Sequence, residues 1–483
     1  MNKYWRFALV LLVAVVACSD KKAEQATALK TEIEGLLAKA AGPDKKSISY
    51  GEVTVTPGDG DAFNVTIDKL TVPLPDAQPL DLGKVGFKLT PEGDDMRKLS
   101  DLSIPQSLKV KDTTGKDLGT VNLVLDHGNG SWSKSLGVVL NLDLLIKTLE
   151  ISQDSSGDSV NALNVTYQIT STDKGSGVWD QKGTFGAKQL VLSGKDGNLT
   201  ANDLAATSGI DGIKLAEFIA LQADWKKALE SKKPDQMLPV MAKMASLMKS
   251  IHGEFSVGQI SAADASHKQL FAIGSFGFDF GAEGLDQPKS KLSTGLRYAG
   301  LAVPELTQMA GPAGSELVPT DFRFRLGMDN VPVPVAIDLA SKSMGDTNMS
   351  DQSALMGASM MMVGALEQAL VQAGTKISIT DGTLMAPAVT GKFSGEALAD
   401  KAAAMGASGS IDIVVSDLDA VIAKISSHAD DPSAQEIVGM LQTMKGLSDR
   451  GADSSGKPTD HFNVTLDAQG TTLVNGKPFN PGP

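Results

Sequence analysis

Between Ser47 and about Leu204 the apolar residues of this chain fall on every second position, and that period restricts the fold more than any other feature. Phe63, Val65 and Ile67 alternate with Asn64, Thr66 and Asp68. Val85, Phe87 and Leu89 repeat the scheme, as do Val121, Leu123 and Leu125; the longest runs are Val138 to Ile146 and Leu163 to Ile169. Successive side chains of a strand point to opposite faces, so each run has one apolar and one polar side. Turn-forming clusters separate the runs: Pro57-Gly-Asp-Gly60, Pro91-Glu-Gly93, Gly115-Lys-Asp117, His127-Gly-Asn-Gly130, Ser155-Ser-Gly157 and Gly194-Lys-Asp-Gly197. Half-apolar strands joined by short turns predict antiparallel sheet, one side covered and the other wet.

Elsewhere the period changes. Leu29, Ile33, Leu36, Leu37 and Ala40 form a helical stripe that Gly42-Pro43 stops, either a tether or a first packed helix, with the stripe favouring packing. A helical pair follows the strands. Its first member runs from Lys214 to Glu230; its second carries Met237, Met241, Met244 and Met248 beside Ile251 and ends at His252-Gly253. A methionine face at this spacing is core by the ordinary reading and an adaptable binding surface by the other. Strands resume with Phe276, Phe278, Phe280 and with Phe322, Phe324, Leu326, then a helix from about Ser350 to Ala373, strands at Lys376 to Thr380 and Ser410 to Val415, helices at Asp417 to Ser427 and Ser433 to Gly446, and a closing strand pair. The predicted class is α+β: antiparallel, strand-rich halves with extended or curled sheets, packed amphipathic helices and a central helical pair. The expected layout is a signal peptide at 1–17, a lipidated N-terminus and amphipathic helix at 18–42, a mainly β domain at 43–209, the helical pair at 210–252 and an α+β domain at 253–483.

Charge narrows the partners. A net −13 over 483 residues argues against nucleic acid, whose phosphates require a basic surface, and against a polybasic grip on anionic lipid. Cys18 is the only cysteine, so no disulfide forms within the chain and the fold rests on burial.

A search for chemistry finds little. The histidines at 127, 252, 267, 428 and 461 show no metal-ligand spacing; His127 and His267 are expected in turns, His252 and His428 at helix C-termini, and His461 at a strand start. There is no nucleophile elbow, phosphate-cradling loop or dinucleotide fingerprint. The Asp- and Gly-bearing turns at 58–61, 154–158 and 194–197 lack the ligand count of a calcium loop, and turn chemistry accounts for them. Asp279, Arg323 and Arg325 lie on polar strand faces, where cross-strand ion pairing explains them. Asn-Val-Thr occurs at 64, 164 and 463, each time within an alternating strand rather than as a sugar acceptor or a repeat. No catalytic, metal or cofactor residue is predicted, and no cofactor.

The first eighteen residues, MNKYWRFALVLLVAVVAC, have a basic start, an apolar run from Phe7 to Ala17 and Val-Val-Ala-Cys at the end, the anatomy of a secretory signal. That ending resembles the lipobox of bacterial lipoproteins, in which the cysteine becomes the lipidated first residue of the mature protein. The resemblance implies lipidation of Cys18 and attachment to a membrane; the alternative is cleavage near Ala17 that leaves a free thiol. Ser19 after the cysteine implies, by the sorting rule of enteric bacteria, an outer-membrane lipoprotein facing the periplasm. In layout, and in the closing Asn475-Gly-Lys-Pro478, the chain also resembles proteobacterial envelope families that carry domains of unknown function. The expected function is a non-enzymatic envelope lipoprotein that binds or scaffolds a lipid or protein partner through a one-sided apolar sheet. A purely structural or partner-binding lipoprotein, or an enzyme with catalytic residues dispersed along the sequence, is the alternative.

Overall fold

The computed structural model describes residues 20–41, 48–74, 77–154, 156–231, 233–345, 364–404, 406–428 and 430–479. Cys18, the signal segment, Gly42-Pro43 and the first half of the helix expected from Ser350 lie outside them. The helices are α1 (Asp20–Ala41), α2 (Leu215–Ser231), α3 (Pro234–Ser246), α4 (Pro304–Ser315), α5 (Val333–Gly345), α6 (residues 364–373), α7 (Leu418–Ser426) and α8 (Ala434–Leu447).

The strands are β1 (Val53–Pro57), β2 (Phe63–Ile67), β3 (Thr71–Val72), β4 (Leu80–Asp81), β5 (Val85–Glu92), β6 (Met96–Ser103), β7 (Ser107–Lys111), β8 (Asp117–Ser133), β9 (Val138–Gln153), β10 (Ser159–Asp173), β11 (Val178–Gly194), β12 (Gly197–Lys214) and β13 (Ser250–Val257). They continue with β14 (Gln259–Asp264), β15 (Gln269–Ile273), β16 (Ser275–Glu283), β17 (Ser290–Ala299), β18 (Asp321–Val331), β19 (Lys376–Met385), β20 (Thr390–Ala399), β21 (Ala407–Ser416), β22 (Asp449–Ala452), β23 (Pro458–Leu466), β24 (Thr472–Val474) and β25 (Lys477–Pro478). Among the described residues strands dominate and pair antiparallel, with eight helices beside them, which is in keeping with an α+β class weighted to the sheet.

Contacts divide the chain into two compact units. Of the described residues, unit 1 comprises those up to 172 with 181–207 and 262–268; unit 2 comprises those in 173–180, 208–261 and 269–479. In unit 1 the succession β1–β2–β5–β6–β8–β9–β10 is antiparallel, and β7 pairs with the other end of β8. The registers set Val53 against Ile67, Ile67 against Val85, and Phe63 against Leu89, so these side chains share one face. Across that face lies α1, whose Leu29, Ile33 and Leu37 are at most 1% exposed. The stripe therefore belongs to a packed helix. At its start Lys22 donates to the carbonyls of Gly58 and Gly60 in the β1–β2 turn. Arg97 is buried opposite Trp132 and donates to the carbonyls of Gly93, Asp94 and Met96, closing the β5–β6 hairpin.

Unit 2 runs β13–β16–β17–β18–β19–β20–β21–β23–β24–β25. Its buried core lies at one end, where Leu418, Val421 and Ile425 of α7 and Leu441 of α8 meet Val415, Phe462 and Val474. Asp460, fully buried, secures this cap by accepting from the amide of Leu418 at 2.8 Å and the hydroxyl of Ser448 at 2.8 Å, with Arg450 at 3.4 Å. Asp431 ties α4 to the α7–α8 connection by accepting from the amides of Ala313 and Ser433.

Two local expectations are corrected. Residues 127–130 are not a turn but the middle of the 17-residue β8, where register shifts at Val124/Leu125 and Leu125/His127 bend the strand. The glycines there mark close approach: a Cβ on Gly128 would lie 2.6 Å from Leu102, and one on Gly130 2.8 Å from the Asn141 carbonyl oxygen. The second helix of the central pair ends at Ser246, so Ile251 and His252 belong to β13 and His252 is no helix C-terminus. The apolar spacing continues through Ile251 because strand parity also places it on an apolar face, opposite Ala282. Two helices, α4 and α5, carry no clean sequence signal; α4 holds Pro312 and kinks at Gly311, whose φ is +68°.

Candidate functional site

The register of unit 2 sorts its side chains by polarity. Phe255 lies opposite Phe278, Phe278 opposite Leu296, and Leu296 opposite Phe324. One step along, Val257, Phe276, Tyr298, Phe322 and Leu384 follow one another across five strands. Ile377, Ile379, Phe393, Ile411 and Ile413 continue the same face. Rings touch along it: Tyr298–Phe322 centroids are 5.9 Å apart, Phe322–Phe324 5.6 Å and Phe322–Phe393 6.3 Å. Glycines admit the largest rings, since a Cβ on Gly253 would come within 2.5 Å of the Phe280 ring and one on Gly382 within 2.4 Å of that of Phe393. The C-terminal cap covers only the end of this face. Phe255, Phe278 and Phe280 remain 37%, 40% and 43% exposed, and Ile377 and Ile411 are each 37% exposed.

The opposite face of the same strands carries the charge. Asp279 receives Arg325 at 3.0 Å and faces Arg297 at 3.8 Å; Arg297 reaches Glu254 at 2.6 Å, and Arg323 faces Asp381 at 3.4 Å. The Asp279–Arg325 pair crosses an intervening strand. Gly295 stands between the two in register, and a Cβ there would lie 2.4 Å from the Asp279 carboxylate. Gly277 makes the same room for Arg297, whose guanidinium would lie 2.6 Å from a Cβ at that position. Arg297 and Arg323 are direct cross-strand partners, an unfavourable like-charge pair that these three carboxylates offset. Ion pairing thus accounts for Asp279, Arg323 and Arg325, as the sequence suggests. A shallow cleft of about 310 Å³ lies over them.

The histidines do not converge. His252 lies over Gly209 with Asp211 at 3.9 Å, His428 faces Glu316 at 3.6 Å, His461 hydrogen-bonds Thr459 at 2.8 Å, and His267 is a turn residue with φ +64°. Among the described residues no group of three or more His, Cys, Asp or Glu is placed to hold a metal. Many turn aspartates are occupied by their own loops. The Oδ1 atoms of Asp112, Asp264 and Asp453 each accept from the hydroxyl and amide two residues on and the amide four residues on. The hydroxyls of Thr114, Ser266 and Ser455 thereby hold these carboxyls below their ordinary range. The local signal for these loops is Asp-x-Ser/Thr-x-Lys, which recurs at all three positions and which a search for catalytic motifs passes over.

His127 has a defined electrostatic setting on β8. Its Nδ1 is 3.1 Å from Asp126 and its Nε2 3.2 Å from Asp143, and the hydrogen bond to Asp126 raises its pKa above the ordinary 6.5. A histidine raised on folding contributes stability fully below the unfolded value, and that contribution is lost as pH rises through the folded one. Proton NMR of the ring is expected to show a midpoint above that of the urea-unfolded chain, reduced by Asp126→Asn. A folded midpoint at or below the unfolded one would contradict the assigned contacts.

No family model, curated protein or solved structure matches the chain.

Proposed function

We propose that this chain is a non-enzymatic envelope lipoprotein, exported, acylated at Cys18 and held on the periplasmic side of the outer membrane, whose one-sided apolar sheet binds an apolar partner. The observation that carries the reading is the face running from Phe255 to Ile411, half-exposed and beyond the reach of the C-terminal cap. Contiguous exposed apolar surface of this kind marks an interaction site rather than ordinary surface. A sheet that curls along this succession would present the face as a groove. Among the described residues no helix is long and apolar enough to cross a membrane, so attachment through the N-terminus is the anchoring this reading requires.

A protein partner is the second reading, favoured by Met309 of α4 and by Met440 and Met444 of α8, which are 85%, 55% and 39% exposed. The test is organic extraction of protein purified without detergent, followed by lipid mass spectrometry, alongside crosslinking in intact cells. Near-stoichiometric co-purifying lipid is the expected result. No lipid together with a specific crosslinked protein would move the assignment to the second reading.

A further inference from the structure

We infer that the unit 2 face takes the hydrocarbon chains of a lipid and leaves its headgroup unread, an inference that rests on the apolar-partner reading above. The seven strands β13, β16, β17, β18, β19, β20 and β21 put no charged side chain on that face; the registers send Glu254, Asp279, Arg297, Arg323, Arg325 and Glu396 to the other one. Charge complementarity therefore selects an uncharged occupant. A charged or zwitterionic headgroup laid here would lose its hydration with nothing to replace it.

Hydrogen-bonding capacity separates a lipid chain from a protein. The polar side chains on the face are Ser290, Thr294 and Tyr298, and the Ser290 and Thr294 hydroxyls are already used on the Gly284 and Asp279 carbonyls, each at 3.1 Å. A protein interface carries about one hydrogen bond per 100–200 Å². One phenol does not supply that density, so a peptide surface docked here would bury unsatisfied polar groups. Hydrocarbon has none to satisfy. The dimensions agree: six interstrand steps of about 4.8 Å span roughly 29 Å, against about 15 Å for the chains of one leaflet. Whole chains lie on the face while the headgroup stays in water at its border.

The experiment uses the full mature chain carrying Cys18→Ala, so that an anchor's own acyl chains cannot occupy the face. Displacement of a fluorescent fatty acid is measured with dioleoyl lipids bearing ethanolamine, glycerol or choline phosphate heads, and with dioleoylglycerol, which bears no phosphate. The expected result is affinities within about threefold of one another, all weakened at least tenfold by Phe278→Asp with Phe280→Asp. Arg323→Gln, on the charged face, is expected to change none of them. A preference above tenfold for one headgroup, or loss of anionic lipid alone in Arg323→Gln, overturns headgroup-blind binding while leaving lipid binding intact. No displacement by any lipid from a chain with unaltered circular dichroism overturns the apolar-lipid reading itself.

Discussion

Ile33→Asp is expected to detach α1 from unit 1 and to cost roughly 4–5 kcal/mol of that unit's stability, from lost apolar burial and the penalty for a carboxylate in a core. Ile33 is 1% exposed and sits between Leu29 and Leu37, both equally buried, in a cluster with Val53, Phe63, Val65, Ile67 and Val85. The residues packed around Ile33 in that cluster are apolar, so either the helix leaves or the carboxyl stays protonated. A contrasting substitution on the same helix sets the scale. Lys30 faces Glu34 at 4.0 Å and Glu52 at 3.7 Å, with side chains 38%, 41% and 70% exposed, and Lys30→Ala is expected to cost less than about 0.5 kcal/mol. Limited proteolysis with N-terminal sequencing checks both: cleavage within residues 20–41 should rise steeply in Ile33→Asp and hardly at all in Lys30→Ala. Equal resistance in both variants would mean that α1 is a tether whose burial contributes nothing.

What can be read in the sequence depends on whether a signal is local. Alternation in Phe63 to Ile67 and Val85 to Leu89 announces strands because each residue's facing is set by strand parity alone. The α1 stripe is as plain, since Leu29, Ile33 and Leu37 recur at one helical period. The candidate face is legible in part. Phe276, Phe278 and Phe280 can be placed on one side of one strand, but whether that side matches the side bearing Phe322 and Phe324 depends on register. Register is set by pairing between residues far apart in sequence, including the shift between Arg323 and Arg325. The glycines deceive for the same reason. Gly128 and Gly130 look like turn residues locally, yet each, like Gly277 and Gly295, is small because a side chain or carbonyl from another strand lies where a Cβ would be. Asp460 gives no local sign at all: nothing nearby shows that its carboxylate caps α7, 42 positions earlier in the chain.

Cys18→Ala is expected to move the protein entirely from the membrane fraction to the soluble periplasm, the largest effect of any single substitution proposed. The expectation rests on the lipobox resemblance. A net charge of −13 gives the chain no general electrostatic hold on anionic lipid. The α1 stripe is spent on the core of unit 1, so that helix cannot lie in the interface as a second anchor. The proposed acylation would carry the attachment, since two or more acyl chains hold a protein stably where one does so only marginally. Mass spectrometry of the N-terminal peptide should find Cys18 carrying acyl mass in the parent protein, and fractionation should find Cys18→Ala soluble and folded. A parent protein that is already soluble, with Cys18 free to react with maleimide, would replace the lipoprotein by a secreted chain with a single thiol. A Cys18→Ala protein that stays in the membrane fraction would point to the face from Phe255 to Ile411 as the binding element, because hydrocarbon contact there needs neither the anchor nor a headgroup.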